Sequence, residues 1–159
     1  MENKDYHTFN EYMKKSETTL TASMEDYLEM IYRLSLYSGF TRINELSQAL
    51  NVHPPSATRM VQRLGKLNLI KYEKYGVIIL KEEGNLLGEL LLKRHETIEQ
   101  FLRILGVSEK LLLVETEKIE HTICEDTVKC FEQLISFMEK SPNVKDAYFS
   151  YRENSETHL

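Results

Sequence analysis

The chain has 159 residues, 42% hydrophobic and 28% charged, which is the balance of a folded globular protein and excludes a disordered one. No apolar run nears the roughly 18 residues needed to cross a bilayer, and the first twenty residues are polar with no signal-peptide core, so a cytoplasmic protein without a membrane partner is expected. The net charge of −5 disfavours nucleic acid until its distribution is read: residues 42–81 hold seven basic side chains against two acidic ones, so this stretch carries +5 and the remainder −10. A basic DNA-facing module joined to an acidic module with another task fits that asymmetry.

Residues 1–22 lack sustained periodicity and are expected to form a flexible extension. From Ser23, a candidate N-cap, Met24, Tyr27, Leu28, Ile31 and Leu34 recur at helical spacing until Ser38-Gly39 ends the run. Ile43 to Leu50 makes a short amphipathic helix, Asn51-Val52-His53 a turn, and Pro54-Pro55 open a helix through about Leu67, since proline is tolerated in a first helical turn. That order is helix-turn-helix. Leu69–Glu73 and Val77–Leu80 read as two strands joined by Lys74-Tyr75-Gly76, a wing. A long helix is predicted from about Glu83 to Leu105, with an apolar stripe of Leu87, Leu90, Leu91, Ile98, Phe101, Leu102 and Leu105 and a stop at Gly106. Ser108 opens another helix, and a further one lies between about Glu125 and Lys140, ended by Ser141-Pro142-Asn143, with a polar, frayed tail over 151–159.

The fold class is therefore mainly α: a winged helix-turn-helix DNA-binding domain over 23–82, then an all-helical dimerisation and metal-binding domain over 83–150. The long helix carries more leucine than one small domain can cover, which points to a homodimer. Cys124 and Cys130 stand too far apart along one helix to pair or to form a Cys-x-x-Cys clasp, and are expected as reduced, half-buried thiols.

On the proposed recognition helix, Ser56, Arg59, Met60 and Arg63 fall on one outward stripe while Ala57, Val61 and Leu64 face inward. Arginine bonds a guanine edge bidentately, and Ser56 or Thr58 suits a base edge or a phosphate. Lys66, Lys71 and Lys74 suit phosphates, which set register without reading sequence.

Two acidic clusters stand apart in the chain. Asp26 and Glu29 share a face of the first helix, and Glu117, Glu120 and His121 share a face of the helix after Ser108, with His95 and Glu99 one turn apart on the long helix. Either cluster alone is what an ordinary solvated helix face looks like. Together the four carboxylates total −4, enough to neutralise two divalent cations, with His95 and His121 as neutral donors. Two carboxylates held some 4–5 Å apart without metal repel by roughly 3–4 kcal/mol at an effective dielectric near 20. Oxygen and imidazole donors without a thiolate suit magnesium, calcium, manganese and several transition metals.

The segments SMEDYLEMIYRL, VHPPSATRMVQRLGKLNLIKYEKYG, KRHETIEQFLRILGV and EKIEH resemble the diphtheria-toxin-repressor-like family, most closely its manganese transport regulator branch, in order over about Ser23 to Phe137. The resemblance implies metal ligands at Asp26, Glu29, His95, Glu117, Glu120 and His121, the set reached from charge, in a binuclear manganese site with Glu29 and Glu120 bridging. Iron-responsive relatives carry methionine and cysteine where this chain has Asp26 and Glu117, so the resemblance favours manganese, with iron(II), zinc, cadmium or cobalt as substitutes in vitro. It further implies a metal-dependent repressor of metal-uptake genes that binds palindromic double-stranded operator DNA as a homodimer, without an organic ligand. Cys124, one turn beyond His121, departs from the pattern and leaves room for a sulfur contact or redox sensitivity. Two other readings stay open on sequence alone: a winged-helix regulator responsive to iron(II) or a non-metal ligand, and a carboxylate-bridged di-metal enzyme. The enzyme is disfavoured because Leu92 and Lys118, not glutamates, precede His95 and His121 by three positions.

Overall fold

The structure, a computed structural model, describes residues 20–156; most of the extension expected over 1–22 and the end of the tail lie outside the described residues. The chain divides into two compact units between Lys93 and Arg94.

The first unit begins with α1, Ala22–Ser35. Its N-cap is Thr21, two residues before the expected Ser23, and the Thr21 hydroxyl accepts from the Met24 amide at 3.4 Å. Threonine and serine are equivalent caps, so sequence alone does not choose between them. A two-residue strand, β1 (Thr41–Arg42), leads into α2 (Ile43–Ala49), where the Glu45 carboxylate accepts from the Arg42 amide at 3.0 Å. Asn51 makes the turn at φ 51°, a left-handed conformation that asparagine tolerates, and α3 runs over Pro54–Lys66 with proline in its first turn. Then come β2 (Ile70–Tyr72), a short 3₁₀ turn (Lys74–Gly76) and β3 (Val77–Leu80). All three strands are antiparallel in the order β1-β3-β2, with Ile70 opposite Leu80 and Thr41 opposite Ile78. Leu28, Ile31, Leu46, Val61, Leu64, Ile70 and Ile78 are fully buried in one core, each contributing about 1.5–3 kcal/mol by leaving water.

The longest helix, α4 (Glu82–Leu105), starts within this unit. Two glycines allow its close approach: a Cβ on Gly84 would fall on the Leu69 carbonyl oxygen, and one on Gly88 would lie 2.7 Å from the Tyr32 Cβ.

In the second unit α4 ends where Gly106 adopts φ 92°. The Val107 amide bonds the Leu102 carbonyl at 3.0 Å and the Gly106 amide the Arg103 carbonyl at 3.1 Å, a Schellman stop. There follow α5 (Glu109–Glu120), α6 (Glu125–Lys140) and α7 (Pro142–Glu156). Helix α6 ends at Lys140, at the expected stop, whereas α7 corrects the expectation of a frayed tail, since residues 151–156 are helical. Pro142 opens a helix because its missing N–H is not needed there, and the Ser141 carbonyl accepts from Val144 and Lys145. The helix is tied back through Arg152, which donates to the Gly106 carbonyl at 3.3 Å. Ile98, Leu102, Leu112 and Val128 form this unit's core, with the Phe101 and Phe131 rings stacked 3.9 Å apart beside it.

On the expected stripe of α4, Leu91, Ile98 and Leu102 are buried, while Leu90 and Leu105 stay exposed. Leu111, Leu113, Val114 and Phe137 are also exposed, leaving apolar surface uncovered in a single copy. Both cysteines are exposed, correcting the half-buried expectation: Cys124 caps α6 and Cys130 lies on its outer face. No helix among the described residues is long and apolar enough to cross a membrane.

Candidate metal centre and nucleic-acid interface

Two helices bring four of the expected ligands together in the second unit. His95 projects from α4, Glu117 and Glu120 lie one turn apart on α5, and His121 is the residue on which α5 ends. The i, i+3, i+4 spacing of the last three puts them on one face, and an atom of each lies within 4.8 Å of the others.

Glu120 stands at the centre and is only 2% exposed. Its Oε2 is 2.8 Å from Nδ1 of the equally buried His95, and its Oε1 is 3.3 Å from Nε2 of His121. Each carboxylate oxygen therefore faces a different imidazole. Exposed Glu117 brings Oε1 to 3.8 Å from His95 Nδ1, and Glu99 brings Oε2 to 3.7 Å from the other ring nitrogen of His95. A carboxylate this buried needs compensating positive charge or hydrogen bonds. Hard oxygen and borderline imidazole nitrogen converging here form a donor set that fits a divalent cation. Among the described residues no cysteine joins such a cluster; the Cys124 sulfur lies instead 3.4 Å from the Thr127 hydroxyl.

The other two expected ligands lie on α1 of the first unit. Asp26 is half-buried and Glu29 is buried, 8% exposed. Glu29 Oε1 accepts from Arg33 Nε at 2.8 Å and sits 2.6 Å from Arg33 Nη2.

On α3, Ser56, Arg59 and Arg63 are exposed, and Ala57, Val61 and Leu64 are wholly buried. Met60 is a correction: half-buried, it packs against the first core and does not share the outward stripe. The Thr58 hydroxyl donates to the Pro54 carbonyl at 2.9 Å, which leaves its oxygen only as an acceptor. Lys66, Lys71 and Lys74 are exposed, and Lys71 is paired with Glu73 at 2.5 Å.

Sequence reading left Arg42 out of the interface. Strand β1 brings it beside the wing, where its Nη1 donates to the Tyr75 carbonyl at 3.5 Å and its guanidinium lies 5.7 Å from the Phe40 ring centre. Two residues of strand carry no periodic signal. At the wing tip Tyr75 is 91% exposed and held at φ 64°.

Comparison with known proteins follows the same two-part division. The iron dependent repressor N-terminal DNA binding domain matches residues 19–78, and the iron dependent repressor metal binding and dimerisation domain matches residues 81–148. The HTH-type transcriptional regulator MntR of Bacillus subtilis (strain 168) is 39% identical over 138 residues, 87% of this chain and 97% of its own length. MntR of Bacillus pumilus (strain SAFR-032) is 44% identical over 121 residues, 76% of this chain and 84% of its own. Among solved structures, the manganese regulator SloR aligns with a TM-score of 0.64 at 27% identity, covering 74% of this chain and 55% of that one. ScaR with bound Zn2+ aligns with a TM-score of 0.59 at 30% identity, covering 72% and 54%. This chain thus spans little more than half the length of those solved chains. The reading as a di-metal enzyme falls away. The chain belongs to the iron-dependent repressor family: it is a metal-responsive transcriptional repressor with a winged helix-turn-helix for DNA and a helical domain for dimerisation and metal binding.

Proposed function

We propose that this repressor responds to manganese, holds two ions per subunit, and uses as ligands Asp26 and Glu29 from α1 with His95, Glu117, Glu120 and His121 from the helical unit. The single observation that carries this reading is Glu120, a buried carboxylate with one oxygen toward His95 and the other toward His121. Two oxygens directed to two donor sets suit a bridging carboxylate. The absence of a thiolate among the six residues disfavours softer metals, and the manganese regulators among the relatives point the same way.

The ions supply positive charge that cancels the repulsion among the carboxylates. Ions held jointly by Asp26, Glu29 and the residues of the helical unit would restrain α1 and, through the shared core of Leu28, Leu46 and Leu64, the recognition helix α3. A dimer reading successive major grooves needs its recognition helices about 34 Å apart, and restraint to that spacing raises affinity without a metal–DNA contact. Ser56, Thr58, Arg59 and Arg63 face base edges and nearby phosphates, while Lys66, Lys71 and Lys74 neutralise the backbone of a palindromic operator. The regulated genes are those of metal-ion uptake, and the site of action is the cytoplasm.

The test is a fluorescence-anisotropy titration of a palindromic operator at fixed salt, with manganese, iron(II), zinc and no metal compared. Tight binding with manganese and weak binding without metal supports the reading. Equal binding in all four conditions, or manganese dependence untouched by Glu120→Ala, contradicts it and favours a regulator responsive to a non-metal ligand.

A further inference from the structure

Asp26, Glu29 and Arg33 stand at i, i+3 and i+7 on α1, one stripe of two acids and a base. Arg33 turns back one helical turn and places two nitrogens, Nε and Nη2, on the same Glu29 oxygen at 2.8 and 2.6 Å. Only 11% of the Glu29 side chain is exposed, against 35% for Arg33, so the guanidinium reaches over a buried carboxylate from the solvent side. Glutamate on the N-terminal side of its basic partner is the favourable orientation of such a pair.

A guanidinium has five N–H donors, no lone pair to offer a metal, and a charge that persists at any physiological pH. It cannot be a co-ligand, and where it sits it shares with any metal the one Glu29 oxygen, Oε1, that both its nitrogens hold. We propose that Arg33 is a built-in counter-ion that occupies Glu29 in the metal-free protein and is displaced as Glu29 turns to metal, thereby raising the metal concentration at which the repressor responds. The proposal rests on the reading of Glu29 as a ligand. The device needs no refolding, because a side chain already one-third exposed can swing into water at the cost of one partly screened ion pair.

The test is direct manganese binding to the full-length protein without DNA, following the electron paramagnetic resonance signal of free Mn2+, for wild type, Arg33→Met, Glu29→Gln and the double variant. Arg33→Met is expected to bind manganese about three- to tenfold more tightly, the range between a surface pair and a half-buried one. Arg33→Lys, which keeps the charge but loses the two-nitrogen contact, is expected between the two and also serves if Arg33→Met does not fold. Glu29→Gln should weaken binding at least tenfold, and in that background Arg33→Met should change affinity less than twofold. Unchanged or weaker binding by Arg33→Met, with Glu29→Gln impaired, overturns the competitor and leaves the ligand reading standing. Wild-type affinity in Glu29→Gln overturns both. Circular-dichroism melts in chelator confirm that each variant is folded.

Discussion

His95 Nδ1 lies 2.8 Å from Glu120 Oε2, and neither residue is more than 3% exposed. A polar pair this deep is costly to break, because the surviving member is left in the interior without its partner. His95→Ala is expected to destabilise the metal-free protein by about 1–3 kcal/mol, read by urea unfolding in chelator. Manganese should stabilise the wild type by mass action, by about 2.7 kcal/mol when its free concentration is a hundred times the dissociation constant, and should stabilise His95→Ala far less at the same concentration. Equal stabilisation of both proteins would remove His95 from the site.

Exposed Arg59 on α3 and exposed Lys66 at its end are assigned different tasks. Arg59→Ala is expected to cost about 1–3 kcal/mol on the cognate operator and to relax discrimination at one base pair. Lys66→Ala should weaken all sequences alike and reduce the slope of log affinity against log salt by about 1. Anisotropy titrations at several salt concentrations on cognate and single-mismatch operators separate the two. Identical effects of the two substitutions would contradict the assignment.

Gly84 and Gly88 set how closely α4 approaches the rest of the first unit. A methyl at Gly84 meets rigid backbone at Leu69, whereas one at Gly88 meets the Tyr32 side chain, which can shift. Gly88→Ala is expected to cost about 1–3 kcal/mol and Gly84→Ala more, outweighing the roughly 1 kcal/mol that alanine gains in a helix interior. Thermal melts give the order, and a stabilised Gly84→Ala would contradict the packing.

The Thr127 hydroxyl, then its backbone amide, hydrogen-bond the Cys124 sulfur and hold its pKa below the usual cysteine range. Hydrogen bonds to the charged form favour it, so the thiolate appears at lower pH than in a free cysteine. The rate of iodoacetamide labelling at Cys124, measured against pH in a Cys130→Ser background, should therefore have a lowered midpoint, and Thr127→Val should move it upward. A midpoint unmoved by Thr127→Val would show that the hydroxyl is not what lowers it.

Much of this was legible because periodicity reports which side chains leave water. The expected inward faces, Leu28 and Ile31 on α1 and Val61 and Leu64 on α3, are also the centre of the first core. Pro54 and Gly106 punctuate helices for local steric reasons that need no neighbours. What escaped depends on distant partners or on choices between equal local signals. Strand β1 exists only because Thr41 and Arg42 pair with β3. Pro142 suits the start of a helix as well as the end of one and here serves both, since α6 stops just before it and α7, tied back by Arg152 to Gly106, begins at it. Met60 has the spacing of an outward residue yet follows the apolar surface beneath it. For the site, the i, i+3, i+4 spacing foretold the shared face of Glu117, Glu120 and His121, but not that Glu120 would lie buried between two imidazoles. The ion pair of Arg33 with Glu29 has helical spacing too, but charged pairs at that spacing are too common to single out.

The most direct test is a crystal structure grown with excess manganese, with anomalous difference density to locate the ions. Two peaks are expected, with Asp26 and Glu29 among the ligands alongside His95, Glu117, Glu120 and His121, and with Glu29 and Glu120 each touching both. Peaks bound by the helical unit alone, with Asp26 and Glu29 turned to bulk water, would contradict the coupling of metal to DNA binding through α1.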